Sequence, residues 1–202
     1  MLDRYITPLI KPAVEKIARA AQRKGWHADS ATLFGFAIGL CAMIAIAKQD
    51  YTVAIGFILL SRLFDALDGA LARLMTPTDA GGFLDITLDF LFYAGIPLAF
   101  AIANPAQNAL PAAVLLAAFI GSGSSFLAFA AIAAKRGISS VEYPDKSFYF
   151  LGGLAEATET LICFILMCIF PKWFPELAYT FAAICAITIA TRIIGGYHTL
   201  KK

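Results

Sequence analysis

Four aspartates interrupt an otherwise apolar stretch of the chain: Asp65, Asp68, Asp85 and Asp89. Asp65 and Asp68 are three residues apart, and Asp85 and Asp89 are four apart. On a helix turning about 100° per residue, each pair shares a face. An ionised aspartate near the centre of a membrane helix costs about 2.5–3.5 kcal/mol on insertion scales. Four converging carboxylates would also repel one another unless cations sit among them. Their hard oxygens suit Mg²⁺, Mn²⁺ or Ca²⁺ rather than zinc or copper. Arg62 and Arg73 are the cations nearby, and buried salt bridges to them would account for one or two of the four carboxylates. Gly69, Ala72 and the pair Gly81-Gly82 are small enough to admit a helix, a ring or a phosphate against the backbone. With Arg73 beside them, a phosphate-bearing ligand is a plausible occupant.

The elements that must carry these residues are membrane helices. The chain is 60% hydrophobic and 15% charged, against about 45–50% apolar and about 25% charged in soluble domains. That composition excludes a soluble globule. A net charge of +2 with no basic run gives no case for nucleic acid as a partner. The reading is an all-α integral membrane protein forming one domain over 1–202. Residues 2–24 place Leu2, Ile6, Leu9, Ile10, Val14 and Ile17 at helical spacing with Lys and Arg on other faces, the pattern of an amphipathic juxtamembrane helix. Packing of that helix against protein is the alternative. Six apolar stretches follow, near 30–48, 51–73, 81–103, 108–134, 148–170 and 176–198, each long enough to cross a bilayer. The breaks between them read KQD, TPTD, NPAQN, KRGISSVEYPDK and PKWFPE.

Lysine and arginine in short loops set the orientation. They cluster before the first stretch, beside Arg73, at Lys135, Arg136 and Lys146, and at the C-terminus, whereas the opposite side holds Lys48 and Lys172. Both termini and the turn at 74–80 are therefore expected in the cytoplasm, with the aspartates facing it. The four cysteines, Cys41, Cys163, Cys168 and Cys185, all fall in apolar stretches and read as buried packing.

The pattern Asp65-x2-Asp68-Gly69-x2-Ala72-Arg73-x7-Gly81-x3-Asp85-x3-Asp89 resembles the signature of the CDP-alcohol phosphatidyltransferases, and the layout is similar to that of small bacterial members. The resemblance implies an enzyme of phospholipid synthesis in the bacterial inner membrane. An alcohol would attack the lipid-linked phosphate of CDP-diacylglycerol and release CMP. It further implies that Asp65, Asp68, Asp85 and Asp89 hold Mg²⁺ or Mn²⁺, two ions in all, with Asp89 also the catalytic base. The cytidine-diphosphate contacts map to Gly69, Arg73 and Thr78, with Asp79 the alternative to Thr78. Family members carry a Pro-Asn-x-x-Thr or Asp-x-x-Thr stretch upstream, which here gives Asp29 and Thr32 without the proline. "DSAT" at 29–32 equally reads as a helix N-cap. A homodimer is likewise implied by the resemblance.

Glu156, Glu159 and Arg192 are the remaining ionisable residues inside apolar stretches, and Lys135 ends the fourth. They are candidates for a pocket reading the acceptor alcohol, or for an ion pair joining helices. Two glutamates favour an unphosphorylated polyol or amino alcohol over glycerol 3-phosphate. His27 and His198, at membrane edges, read as interfacial packing, and "GSGSS" at 121–125 as close helix packing or a dimer face. Two rival functions stand beside this one: transfer from another CDP-alcohol donor, and divalent-cation transport. Transport needs a polar path across the bilayer. The outer halves "YTVAIGFILL" and "FLFYAGIPLAFAIA" carry no ionisable group.

Overall fold

A computed structural model describes residues 2–137 and 154–201. Every long element is an α-helix, and no strand occurs among the described residues. The helices are α1 (Asp3–Arg23), α2 (Ala28–Ala47), α3 (Tyr51–Leu74), α4 (Asp79–Ala103), α5 (Pro105–Lys135), α6 (Ala157–Ile169) and α7 (Phe174–Lys201), with a 3₁₀ turn at Pro171–Trp173. The stretch expected near 148–170 and the loop containing Lys146 lie partly outside the described residues.

The ends of the helices follow from local chemistry. Gln49 adopts a left-handed φ of 64° between α2 and α3. The Asp50 carboxylate then caps α3 by accepting from the Val53 amide at 3.4 Å. Pro77 and the cap residue Thr78 restart the chain as α4. Between α4 and α5 only Asn104 is non-helical. The break expected over NPAQN is thus one residue wide, because Pro105 at a first helical position has no N–H to lose and its φ suits the helix.

Four helical segments are long and apolar enough to cross a membrane: α2, α4, α5 and the continuous Pro171–Lys201. α3, with 24 residues, has the length but carries Arg62, Asp65, Asp68 and Arg73. α6 spans 13 residues as described.

α2 packs against both α3 and α4, α5 against α4 and α7, and α6 against α3 and α7. Fully buried Phe92, Ile96, Phe100, Phe164, Phe174 and Met167 form the main core. Phe100 and Phe174 stack there with centroids 4.6 Å apart. Between membrane helices such rings act through close van der Waals packing and not through exclusion of water. α1 lies on α3: Val14 and Ala18 are buried with Ala31, Leu67, Ala70 and Leu71. The stripe read from the sequence therefore divides, with Val14 and Ala18 on protein and Leu9 left 79% exposed.

Of the cysteines, Cys163, Cys168 and Cys185 are buried, as their surroundings suggested, and all four are free thiols. Cys41 is exposed instead, because it takes the outward face of α2. The "GSGSS" stretch packs inside the chain: a Cβ at Gly121 would lie 2.8 Å from Ile189, and Gly123 abuts Phe90.

Candidate active site

The site is built where α2, α3 and α4 meet near the turn at residues 75–78. Gly35 sets the approach of α2 to α3, since a Cβ there would fall 2.9 Å from Cβ of Phe64. At this crossing the buried Ser61 hydroxyl donates to the Gly35 carbonyl at 2.8 Å. One turn back along α2, the close crossing brings the Thr32 hydroxyl against the Asp68 carboxylate. That hydroxyl also lies 3.1 Å from the Ala28 carbonyl.

Oxygens of Asp65, Asp68 and Asp85 all lie within 4.8 Å of one another. Asp68 is 5% exposed, and its Oδ2 is buried with no hydrogen-bond partner. Leaving a buried carboxylate oxygen unpaired is costly. A hard divalent cation is the group this donor set suits, so the residues fit a metal of the Mg²⁺ or Mn²⁺ type. Asp89 completes the expected quartet but is engaged differently. Its Oδ1 accepts from Arg62 Nη1 at 2.7 Å, and the same nitrogen lies 3.2 Å from Asp65 Oδ1. The sequence alternative of aspartates paired with Arg62 thus holds for two of the four.

Two connected spaces surround these side chains. A recess of about 10 Å³ is lined by Arg62, Asp65, Asp68, Asp85 and Asp89. A cleft of about 310 Å³ opens next to it, sharing Thr32, Asp68 and Asp85 with the recess. That volume lies at the lower end of the range for small-molecule sites.

Asp29, Thr32, Gly69 and Thr78 line the cleft, together with Gly81 and His27. Asp29 is not the N-cap of α2. The cap position falls to His27, without a side-chain cap bond, and Asp29 lies in the first turn. Its carboxylate instead faces α4, 2.8 Å from where a Cβ on Gly81 would be. Thr78 caps α4 by accepting from the Gly81 amide at 3.0 Å. Asp79 is the first residue of that helix. Arg73 is exposed in the last turn of α3 and lies across Gly69, its Nη1 3.3 Å from a Cβ placed there.

The four candidates for an acceptor pocket sit on three helices. Lys135 is exposed at the end of α5. Glu156 caps α6, with its carbonyl accepting from the Thr160 hydroxyl at 2.8 Å. The Leu154 amide before it donates to Thr188 of α7 at 3.0 Å. Arg192 is one turn further along α7, and its Nη1 donates to the Ser122 hydroxyl at 3.1 Å. Glu159 accepts from the Leu2 amide at 2.8 Å, which ties α1 to α6.

Sequence reasoning missed His27 as a cleft residue and, though it named Arg62 as a partner for the aspartates, missed that one of its nitrogens bridges Asp65 and Asp89. The spacing Arg62-x2-Asp65 was the available signal for the second. Beyond Arg62 the bundle closes on the fully buried Phe92, Ile96 and Phe164. This packed wall is hard to reconcile with an ion path.

Comparison with known proteins agrees with this geometry. A family model described as CDP-alcohol phosphatidyltransferase matches residues 26–194. The inner membrane protein YnjF of Escherichia coli is 55% identical over 202 residues, covering 100% of this chain and 98% of that protein. An archaetidylinositol phosphate synthase of Pyrococcus horikoshii is 36% identical over 92 residues, 45% of this chain and 49% of the synthase. The crystal structure of Mycobacterium tuberculosis phosphatidylinositol phosphate synthase with CDP-DAG bound superposes with a TM-score of 0.66 at 21% identity, covering 91% of this chain and 93% of that one. At that identity the likeness is one of fold.

Proposed function

The chain belongs to the CDP-alcohol phosphatidyltransferase family and is a membrane enzyme of that family; we propose that it transfers the phosphatidyl group of CDP-diacylglycerol to an alcohol and releases CMP. The observation that carries this reading is the juxtaposition of a nucleotide-sized cleft with three carboxylates whose oxygens lie within 4.8 Å. Asp65, Asp68, Asp85 and Asp89 are the residues that would hold the metal, two ions of Mg²⁺ or Mn²⁺. When bound, the metal supplies charge neutralisation at the diphosphate and lowers the cost of the leaving group's charge.

Each residue of the site has a role in this reading. Asp29, Thr32, Gly69, Arg73 and Thr78 hold the cytidine diphosphate in the cleft. The Asp89 carboxylate takes the proton of the acceptor hydroxyl as its oxygen attacks the lipid-linked phosphorus. The bond from that phosphorus to the CMP oxygen breaks, and the phosphodiester lipid and CMP separate. A positioned carboxylate base of this kind contributes roughly 10²–10⁴-fold. The acceptor reaches the site past Lys135, Glu156, Glu159 and Arg192. The two glutamates support an unphosphorylated polyol or amino alcohol.

Six spans, with α1 on the cytoplasmic surface and both termini in the cytoplasm, would set the carboxylates where water-soluble CMP can leave. A homodimer is the proposed assembly. Labelling of Ala80→Cys and Ala106→Cys variants from either side of the membrane tests the orientation: position 80 should react from the cytoplasm and position 106 from outside. The chemistry is tested by CMP release from labelled CDP-diacylglycerol with Mg²⁺ or Mn²⁺ and a panel of acceptors, including glycerol, serine and glycerol 3-phosphate. Release that depends on one acceptor identifies the product. Release that depends on none of them, despite donor binding, leaves the alcohol outside the panel, and failure to bind the donor refutes the reading.

A further inference from the structure

Arg62 is held through both terminal nitrogens of its guanidinium, while its Nε is buried without a hydrogen-bond partner among the described residues. Its side chain is 13% exposed, and its Nη1 bridges Asp89 Oδ1 at 2.7 Å and Asp65 Oδ1 at 3.2 Å. Nη2 lies 3.3 Å from the Ser61 hydroxyl oxygen. The guanidinium carbon sits 4.0 Å from the centroid of Phe92, a ring that is fully buried. Phe92 is itself wedged against α2, because a Cβ at Gly39 would meet its Cδ2 at 2.7 Å. A guanidinium stacked on an aromatic face and shared between two carboxylates loses almost all its rotamer freedom. The rigidity passes to Asp89, whose Oδ1 is held while its side chain stays 32% exposed towards the recess.

We propose that Arg62 is the positioning residue for Asp89: it clamps Oδ1 and leaves Oδ2 as the oxygen that meets the acceptor hydroxyl. This rests on the proposed function, in which Asp89 takes that proton. Asp65, Asp68 and Asp85 converge on one another, and Arg62 ties Asp89 to Asp65 of that group. Phe92 and Gly39 belong to the same device as the platform and its backing.

The test uses full-length protein in lipid, with the variants Arg62→Met, Arg62→Lys and Phe92→Leu. Two measurements are made on each: steady-state kinetics of acceptor-dependent CMP release, and Mn²⁺ binding followed by electron paramagnetic resonance without turnover. Misplacement of a reacting group by about 1 Å costs roughly 100-fold, so Arg62→Met should lower kcat by about that factor with the donor KM unchanged. Its Mn²⁺ binding should be equal or tighter, since a positive charge beside the carboxylates is gone. Arg62→Lys should not restore kcat, because an ammonium lacks the planar fork. Phe92→Leu, which keeps the charge and removes the platform, should lower kcat in the same way without weakening Mn²⁺ binding. Parallel loss of Mn²⁺ binding and kcat would make Arg62 a structural prop and overturn the proposal, as would full activity in Arg62→Met or Arg62→Lys. A wild-type protein that binds neither Mn²⁺ nor the donor would sink the underlying reaction instead.

Discussion

Gly81 at the start of α4 lies so close to Asp29 in the first turn of α2 that a Cβ on it would fall 2.8 Å from Asp29 Oδ1. Residues 52 positions apart in sequence thus form one wall of the cleft. Gly81→Ala should push the Asp29 carboxylate aside and tilt the Thr78 cap, whose hydroxyl oxygen is 3.1 Å from the same point. Both atoms are ends of exposed side chains, so they can give way without disrupting the core. Weaker CDP binding by calorimetry, with the helical content preserved, is the expected outcome. Unchanged affinity would remove Asp29 from the nucleotide site.

Asp68 is both buried and incompletely paired. Without metal it destabilises the fold, because its charge is desolvated and faces Asp65 and Asp85. Asp68→Asn should therefore melt at a higher temperature than the wild type in EDTA. Wild type should gain stability with Mg²⁺, by about 2.7 kcal/mol at a concentration 100 times the dissociation constant, and the variant should gain little. A melting temperature of the wild type that ignores both Mg²⁺ and Mn²⁺ would refute the metal site.

Arg192 donates to Ser122 on α5 and stands one turn beyond Thr188, which anchors the segment leading to Glu156. In the proposed acceptor pocket, a charge-assisted hydrogen bond from Arg192 to the bound alcohol would be worth about 1.5–3 kcal/mol. Arg192→Ala should accordingly raise the acceptor KM roughly 10- to 100-fold and leave the donor KM alone. Equal effects on both substrates would reassign Arg192 to helix packing.

The carboxylate quartet was legible because helical periodicity converts spacing into direction. Residues three or four apart share a face, and α2, which packs against both α3 and α4, brings the two faces together. The apolar runs likewise announced α2, α4 and α5. What the sequence hid are contacts whose partners are remote in the chain. The Leu2 amide on Glu159 joins residues 157 positions apart, and nothing in either neighbourhood signals the other. The Gly39–Phe92–Arg62 stack depends on three helices crossing at one point. Of the two readings of Asp29, the N-cap fails for a local reason: α2 begins at Ala28, so the Asp29 carboxylate faces α4 instead.

Asp89→Asn tests the central assignment most directly. The asparagine oxygen can still accept from Arg62, while the carboxylate's negative charge and its ability to take a proton are lost. Measured beside the wild type with CDP-diacylglycerol, Mn²⁺ and the active acceptor, the variant should bind the donor normally and release CMP about 10²–10⁴-fold more slowly. Turnover at the wild-type rate would contradict Asp89 as the base and with it the proposed mechanism.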